Sequence, residues 1–413
     1  MALDTRVLQA DEWDVWHEHL ELAFGGVPES PEERALYRSL TEPERSLGVW
    51  DGQSCVGSAG AFSFRLSVPG GALVPAAGVT MVGVAPTHRR RGVLTSMMRR
   101  QLDDIRAGGE PVAVLTASEP EIYGRFGYGT AAYALSVDID TTRVRLEVPP
   151  GTDGVRLRLV DPEKALADCE RVYAALVKDR PGMPARQPGW ERLALVDPQS
   201  RREGASPLKC VVAEDAGGEV VGYARYRLRM DWELSGADGK VLVDAVDALH
   251  PAAYAALWRY LFEMDLTWHV RANDRPVDDP LLHLVNDVRR VRVLQRDALH
   301  LRVVDLPGAL EARGYGAAVD VVLEVEDGFC PWNAGRWRLT AAGGAGGGVR
   351  CVRTGDAAEL ALSVRELGSA YLGGITLASL AGAGRVRELR PGALREASRA
   401  FAGDVTPWLS HRF

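Results

Sequence analysis

Between Val82 and Thr95 the chain reads Val-Gly-Val-Ala-Pro-Thr-His-Arg-Arg-Arg-Gly-Val-Leu-Thr, and these residue types in this order describe an anion site. A strand ends at Pro86, whose missing amide hydrogen stops ladder pairing, and a basic turn follows. Leu94, Met97, Met98, Leu102 and Ile105 then recur at helical spacing, so the turn opens an amphipathic helix. The first amides of a helix lack an intrahelical acceptor and carry the positive end of its dipole, a combination that attracts phosphate. Gly92 lets a diphosphate approach the backbone closely, and Arg89, Arg90 and Arg91 can fork onto its oxygens. Three arginines in a loop are more often a solvated surface run. The strand, proline and glycine around them favour the binding reading.

Downstream, Tyr123 and Tyr128 stand in Ile122-Tyr-Gly-Arg-Phe-Gly-Tyr-Gly129. A phenol with a pKa of about 10 stays protonated at neutral pH and can pass its proton to a leaving group of comparable basicity. A tyrosine in such a turn is also a common core residue, so the residues alone choose neither. Ser118 fits a strand cap as well as a ligand contact. Phe24 and Tyr37 can wall a substrate cavity, although an aromatic on an amphipathic helix usually belongs to the core. Most chain ends fray, but Val405, Pro407, Trp408, Leu409 and Phe413 give this tail apolar anchors. His17 and His19 are the only close histidine pair, and two-residue spacing on a helix points them apart, so no metal site is expected. The five cysteines are scattered without a Cys-x-x-Cys spacing, which argues against both a disulfide framework and structural zinc.

The elements that position these groups follow from periodicity and turn chemistry. Helical patterns run from Trp13 to Phe24 and from Pro31 to Leu40, where Ser30 and Glu33 read as a helix start. Asp51-Gly52 turns a hairpin between Leu47–Trp50 and Cys55–Leu66; Val112–Leu115 is a short buried strand, and Pro120 starts a helical turn. The segment 148–154 is turn-rich and reads as the best linker. Beyond it the order of elements repeats: a strand at Val155–Val160, a helix, a hairpin around Ala216-Gly217-Gly218, a strand at Val241–Ala248, and a helix opened by His250-Pro251. This second copy has His250-Pro251-Ala-Ala-Tyr254 where the first has its arginine-glycine turn, and so reads as non-catalytic. From about Leu301 a further α+β pattern begins, with a flexible hairpin loop at Gly343–Gly348.

A chain of 413 residues exceeds what one core supports, so two or three domains are expected. The net charge of −7 disfavours a general nucleic-acid binder and suits small cationic partners. The acidic N-terminus carries no apolar stretch, and later apolar runs are broken by charge or glycine; neither signal peptide nor membrane insertion is expected, and the compartment is the cytoplasm.

Arg89-x-x-Gly92 after Val82-x-Val84-x-Pro86 resembles the coenzyme A motif of the GNAT acetyltransferases, with Leu94 where many members have glycine or alanine. Ala85–Gly92, Ala117-Ser-Glu119 and Ile122–Gly129 together resemble the enhanced intracellular survival (Eis) branch. Leu310-Glu-Ala-Arg-Gly-Tyr315, Tyr371-Leu-Gly373 and Phe413 extend that resemblance, in order, over the whole chain.

The resemblance implies an α+β chain of two tandem GNAT-type domains, 1–150 catalytic and 151–300 degenerate, followed by a sterol-carrier-like domain, 301–413, whose C-terminus reaches the active site. It implies a homohexamer that transfers acetyl from acetyl-coenzyme A to a primary amine, of an aminoglycoside, a lysine or another amine, in a direct ternary complex. The cofactor would meet Val82, Gly83 and Val84 through strand backbone and Arg89, Arg90, Arg91, Gly92, Val93, Leu94 and Thr95 at the turn, with Ser118 and Glu119 beside the next strand. Tyr123 would be the general acid and the α-carboxylate of Phe413 the general base, with a strand amide for the oxyanion. In members that take polycationic substrates acidic groups line the pocket, one of them next to the terminus; here Arg412 holds that place and Gly26 stands in a region where an acid would help. The competing expectation is a non-enzymatic protein that holds coenzyme A or a lipid.

Overall fold

The computed structural model describes residues 3–234, 236–344 and 348–413. Of the glycine loop expected at Gly343–Gly348, residues 345–347 lie outside these described residues.

The first copy runs β1 (Asp4–Val7), α1 (Trp13–Ala23), α2 (Pro31–Leu40), β2 (Leu47–Asp51), β3 (Ser54–Ser67), β4 (Leu73–Val84), α3 (Val93–Ala107), β5 (Val112–Leu115), α4 (Pro120–Gly124) and β6 (Gly129–Asp140). Local chemistry sets the ends. Ser30 Oγ accepts from the Glu33 amide at 3.2 Å while Glu33 accepts from the Ser30 amide at 2.9 Å, a reciprocal cap that starts α2. The second copy runs β7 (Arg156–Val160), α5 (Leu166–Leu176), β8 (Pro184–Ala185), β9 (Lys209–Glu214), β10 (Val220–Arg229), the short β11 (Trp232–Glu233) and β12 (Gly236–Ala237), β13 (Gly239–Ala248), α6 (Pro251–Phe262), β14 (Thr267–Arg275), α7 (Leu281–Leu284) and β15 (Val291–Val303). The last domain contains α8 (Leu306–Glu311), β16 (Val319–Glu326), β17 (Gly335–Ala341), β18 (Val349–Arg353), β19 (Leu360–Ser363), α9 (Val364–Ala370), α10 (Leu377–Gly382), β20 (Val386–Glu388) and α11 (Ala393–Phe401).

By packing, the chain divides into one unit of Met1–Ala132, Arg180–Ala185 and Asp297–Phe413, and another of Tyr133–Asp179 and Arg186–Arg296. In the first, strands run β1-β2-β3-β4-β5 with every neighbour antiparallel except the parallel pair β4–β5, and residues 300–303 of β15 pair antiparallel to β5. The second unit repeats this scheme: β7-β9-β10-β13 are antiparallel, β13–β14 are parallel, and residues 135–140 of β6 run antiparallel to β14. The strand that completes each sheet is thus drawn from the end of the other copy's sequence. Packing accordingly divides the chain inside β6 and β15, and the turn-rich segment 148–154 lies within the second unit, with Thr152 buried.

Each sheet buries one face against its main helix. Met97, Met98, Leu102 and Ile105 of α3 pack on Ala59, Ala61, Ala77 and Val79, while Leu257, Trp258 and Leu261 of α6 pack on Val241, Val243, Val270 and Ala272. Within the first unit, the last domain adds a mixed five-stranded sheet in the order β18-β17-β16-β19-β20. Two copies of one sheet-and-helix scheme, followed by a further α+β domain, therefore make up the α+β fold. All five cysteines are free thiols, four of them buried.

Candidate active site

The floor of the site is the place where β4 and β5 part. They pair only from Ala76 to Gly78 against Val112 to Val114, after which β4 continues alone to Val84. On its other side β4 carries a bulge. Thr80 pairs with Gly60 and Gly83 with Ser58, so Met81 and Val82 stand opposite Ala59 alone, and Met81 takes a left-handed φ of 54°. The edge of β4 facing the gap thereby keeps backbone groups that no strand consumes.

At the outer end of β4 lies the arginine turn. Arg89 is extended, Arg90 is left-handed at φ 62°, and Gly92 at φ 83° is the N-cap of α3. A glycine is required there for its backbone conformation, since a side-chain carbon would meet nothing within 4 Å. No side chain caps α3, whose first internal bond runs from the Ser96 amide to the Gly92 carbonyl at 2.9 Å. The amides from Arg89 to Thr95 donate to no backbone acceptor among the described residues. Arg89, Arg90 and Arg91 are exposed, and no carboxylate among the described residues pairs with them. Free amides, a helix N-terminus and three uncompensated guanidiniums form a cradle that fits a diphosphate. Val82, Val84, Leu94, Ala117 and Tyr123 edge one apolar cluster beneath it, and Ser118 and Glu119 are exposed just past β5.

The structure separates the two tyrosines. Tyr123, on α4, is partly exposed, and its hydroxyl has no protein partner among the described residues. Burial, then the nearby Glu119 charge, pushes its pKa up to about 12, so it is a proton donor at any physiological pH. Tyr128 is sealed at 1% exposure, and its hydroxyl has no hydrogen-bond partner among the described residues. The rings meet edge to face at 6.0 Å, which makes Tyr128 a wall of Tyr123. The glycines of this motif have a packing reason: a side-chain carbon at Gly129 would sit 2.0 Å from the Arg365 carbonyl of α9, so the motif is the seam where the last domain fixes α4.

Phe413 comes to the parting of the strands. Thr116 Oγ1, one residue beyond β5, donates to a backbone oxygen of Phe413 at 3.3 Å, and the Phe413 ring meets Phe64 of β3 edge-on at 4.8 Å. The tail is held by a strap that sequence reasoning missed. Residues 180–185 leave the second copy to pair Pro184 and Ala185 with Leu66 and Arg65 of β3, and the Pro181 carbonyl accepts the Trp408 amide at 2.8 Å. The motifs 310–315 and 371–373 converge on the start of the same tail. Buried Arg313 donates through Nη2 to the Phe401 carbonyl at 2.7 Å, and the Gly403 amide reaches the Gly373 carbonyl at 3.2 Å.

The two candidate substrate residues part company. Phe24, the C-cap of α1, is 59% exposed, whereas Tyr37 packs against the cluster of Leu8, Trp13 and Trp16. His17, Glu21 and Glu29 bring ligand-type atoms within 4.8 Å of one another. Glu21 also accepts from Arg34 at 3.5 Å and from the Glu29 amide at 3.3 Å, so a cation and an amide already engage that group.

In the second copy the corresponding parting is filled by a side chain. Beyond the parallel pairing of β13 and β14, Arg275 Nη1 donates to the Val246 carbonyl of β13 at 3.2 Å, and Nε pairs with Asp279 at 2.7 Å. Tyr254 donates to Asp279 and receives Arg275 Nη2 at 3.3 Å. Arg275 is 5% exposed and Asp279 is 2% exposed. His250 Nδ1 accepts the Ala253 amide at 3.2 Å, capping α6.

A parallel strand pair that splays beside an uncapped helix and a basic turn is the arrangement of a GNAT acetyltransferase. Residues 4–131 and 182–303 each match the acetyltransferase (GNAT) domain, and 306–410 match the sterol carrier protein domain. The chain is 64% identical over 413 residues to an N-acetyltransferase of Streptomyces avermitilis, covering all of both chains. It is 37% identical over 388 residues to the N-acetyltransferase Eis of Mycobacterium tuberculosis, covering 91% of each. The crystal structure of Eis1 from Mycobacterium abscessus superposes with a TM-score of 0.84 at 36% identity over the full length of both. The chain belongs to the Eis family of N-acetyltransferases.

Proposed function

We propose that the first copy binds acetyl-coenzyme A and transfers its acetyl group directly to a primary amine of a small molecule or a lysine. The observation that carries this reading is the cradle at Arg89–Thr95, open and uncompensated among the described residues, beside the apolar cluster that Val82, Val84 and Tyr123 edge together. In that reading the amides and guanidiniums from Arg89 to Thr95 hold the diphosphate, the β4 edge from Val82 to Val84 orients the acyl group, and Ser118 and Glu119 flank the pantetheine arm. The cofactor supplies an activated acyl group on a thiol leaving group. A β4 amide near Val82–Val84 polarises the acyl oxygen. Tyr123 Oη gives its proton to the departing sulfur. The α-carboxylate of Phe413, placed by Thr116 and Phe64, accepts the amine proton; with a reference pKa of about 3.5 it acts through water or after desolvation raises its basicity. No metal has a role in these steps. Phe24 walls the acceptor side, and Tyr37 supports it from the core.

We divide the chain functionally into 1–150, carrying the chemistry, 151–300 as scaffold, and 301–413 as the domain that delivers the tail. The resemblance of the motifs also supports a cytoplasmic homohexamer; light scattering of the purified protein tests the number of copies. Thiol release from acetyl-coenzyme A with lysine peptides, polyamines and aminoglycosides tests the activity. Amine-dependent release that Tyr123→Phe removes is the expected result. Release independent of amine, or none across the panel, would instead favour a protein that only holds coenzyme A or a lipid.

A further inference from the structure

Between α5 and the sheet of the second unit two thiols meet. Cys169 of α5 and Cys210 of β9 are both 0% exposed in the cluster that Val172, Val212 and Tyr223 share, and their sulfurs stand 3.9 Å apart in hydrogen-bonding geometry. A disulfide bond is about 2.05 Å long, so each sulfur would travel about 0.9 Å to close one.

Buried thiols are usually inert packing. Here a cation joins them. Arg225 lies directly opposite Cys210 across β10 and β9, which puts both side chains on one face with Cβ atoms about 4.5–5.5 Å apart. Arg225 is 2% exposed, and its Nε and Nη2 have no hydrogen-bond partner among the described residues. Glu170 and Asp244, whose charges bear on it, bond Arg186 and Arg227 instead. A guanidinium does not lose its proton in a protein, so this buried cation calls for an anion, and a thiol is the neighbour able to become one. The pair divides accordingly. The hydrogen bond between the sulfurs, ahead of burial, raises the Cys169 thiol; the same bond, against burial and with Arg225 assisting, lowers Cys210.

We propose that Cys210 and Cys169 form a hydroperoxide-reactive dithiol, in which Cys210 attacks as a thiolate held by Arg225 and Cys169 closes the disulfide. The Cys210 sulfur takes one oxygen of hydrogen peroxide as the O–O bond breaks and hydroxide leaves. The Cys169 sulfur then displaces the hydroxyl of the resulting sulfenic acid, and its own proton departs with that hydroxyl as water. Two electrons pass from the two sulfurs to the peroxide, and one S–S bond forms. Burial restricts the oxidant to a molecule close to water in size, which favours hydrogen peroxide over a bulky disulfide such as oxidised glutathione.

The test treats the full-length protein with hydrogen peroxide or with oxidised glutathione, alkylates it in denaturant and maps it by mass spectrometry. Peroxide is expected to join the peptides carrying Cys169 and Cys210 with loss of two hydrogens, and oxidised glutathione to leave both alkylatable. Arg225→Met, which keeps the bulk and removes the cation, should slow the joining at least tenfold with no fall in melting temperature. If that variant fails to fold, Cys169→Ala replaces it; with no second thiol to close the disulfide, peroxide should drive Cys210 to the sulfinic acid, two oxygens heavier. Cys169 and Cys210 that stay alkylatable after peroxide overturn the proposal. So does joining that is equally fast with oxidised glutathione or without the Arg225 charge, and so does a Cys210 that gains no oxygen in Cys169→Ala.

Discussion

The two GNAT copies share a strand order and differ in what occupies the parting of their parallel strands. In the first, among the described residues, no strand pairs the outer edge of β4, no side chain caps the helix after it, and three exposed arginines have no carboxylate partner. In the second, Arg275 fills the corresponding position with its side chain, and His250 satisfies the helix start. One fold thus serves two ends. Open polar backbone is tolerated where water or a ligand meets it, and where it is buried it must be paired from within.

The sharpest way to break the comparison is Tyr123→Phe. If the first copy alone does chemistry, this change should lower kcat by about 10²–10⁴-fold and leave coenzyme A affinity intact, as read by steady-state kinetics and calorimetry. Because burial and Glu119 hold the Tyr123 proton up to about pH 12, the acid stays protonated across the working range. The rate should therefore show no alkaline fall from this group below pH 10. A loss near pH 8 that Tyr123→Phe abolishes would unseat it. Next in size, Asp279→Ala in the second copy leaves Arg275 buried and unpaired, and should cost about 3–5 kcal/mol in denaturant unfolding without changing the coenzyme A dissociation constant. A matching loss of coenzyme A affinity would show that the second copy is not merely scaffold.

A third test returns to the first copy. Gly92→Ala forces a left-handed alanine and should cost about 1–2 kcal/mol of stability, its side chain meeting nothing. The smallest effect expected is from Arg90→Ala, which removes one exposed charge-assisted contact of about 1 kcal/mol and should weaken coenzyme A about fivefold, more at low salt than at high. Unchanged affinity would remove the turn from the site.

Sequence periodicity located the first copy closely because its signals are local. Ser30 and Glu33 cap α2 as their spacing predicts, Val112–Leu115 is the strand expected, and α3 runs from Val93 to Ala107 between the glycines. The arginine turn was equally legible, since a strand, a proline and a glycine constrain a short stretch. The choice of Tyr123 over Tyr128 was not, because it depends on which ring the long-range packing of α9 and β15 buries. The exchange of β6 and β15 and the strap at 180–185 also escaped. Residues 134–140 do alternate, with Ser136, Asp138 and Asp140 on one face, and that period-two signal marks a strand; nothing in it names a partner far away in sequence. Likewise, His250-Pro251 announced a helix start, while the Arg275–Asp279 pair looks like any surface i,i+4 pair until the fold buries it.

Arg275 makes the second copy a protein with its ligand already attached. A free ligand stabilises its host only in proportion to its concentration relative to Kd, so the first copy should firm up or loosen as the cellular supply of coenzyme A rises and falls. A tethered occupant never dissociates. In a thermal-shift experiment, saturating coenzyme A should raise the transition that reports α3 and β4 and leave untouched the one that reports α6 and β13.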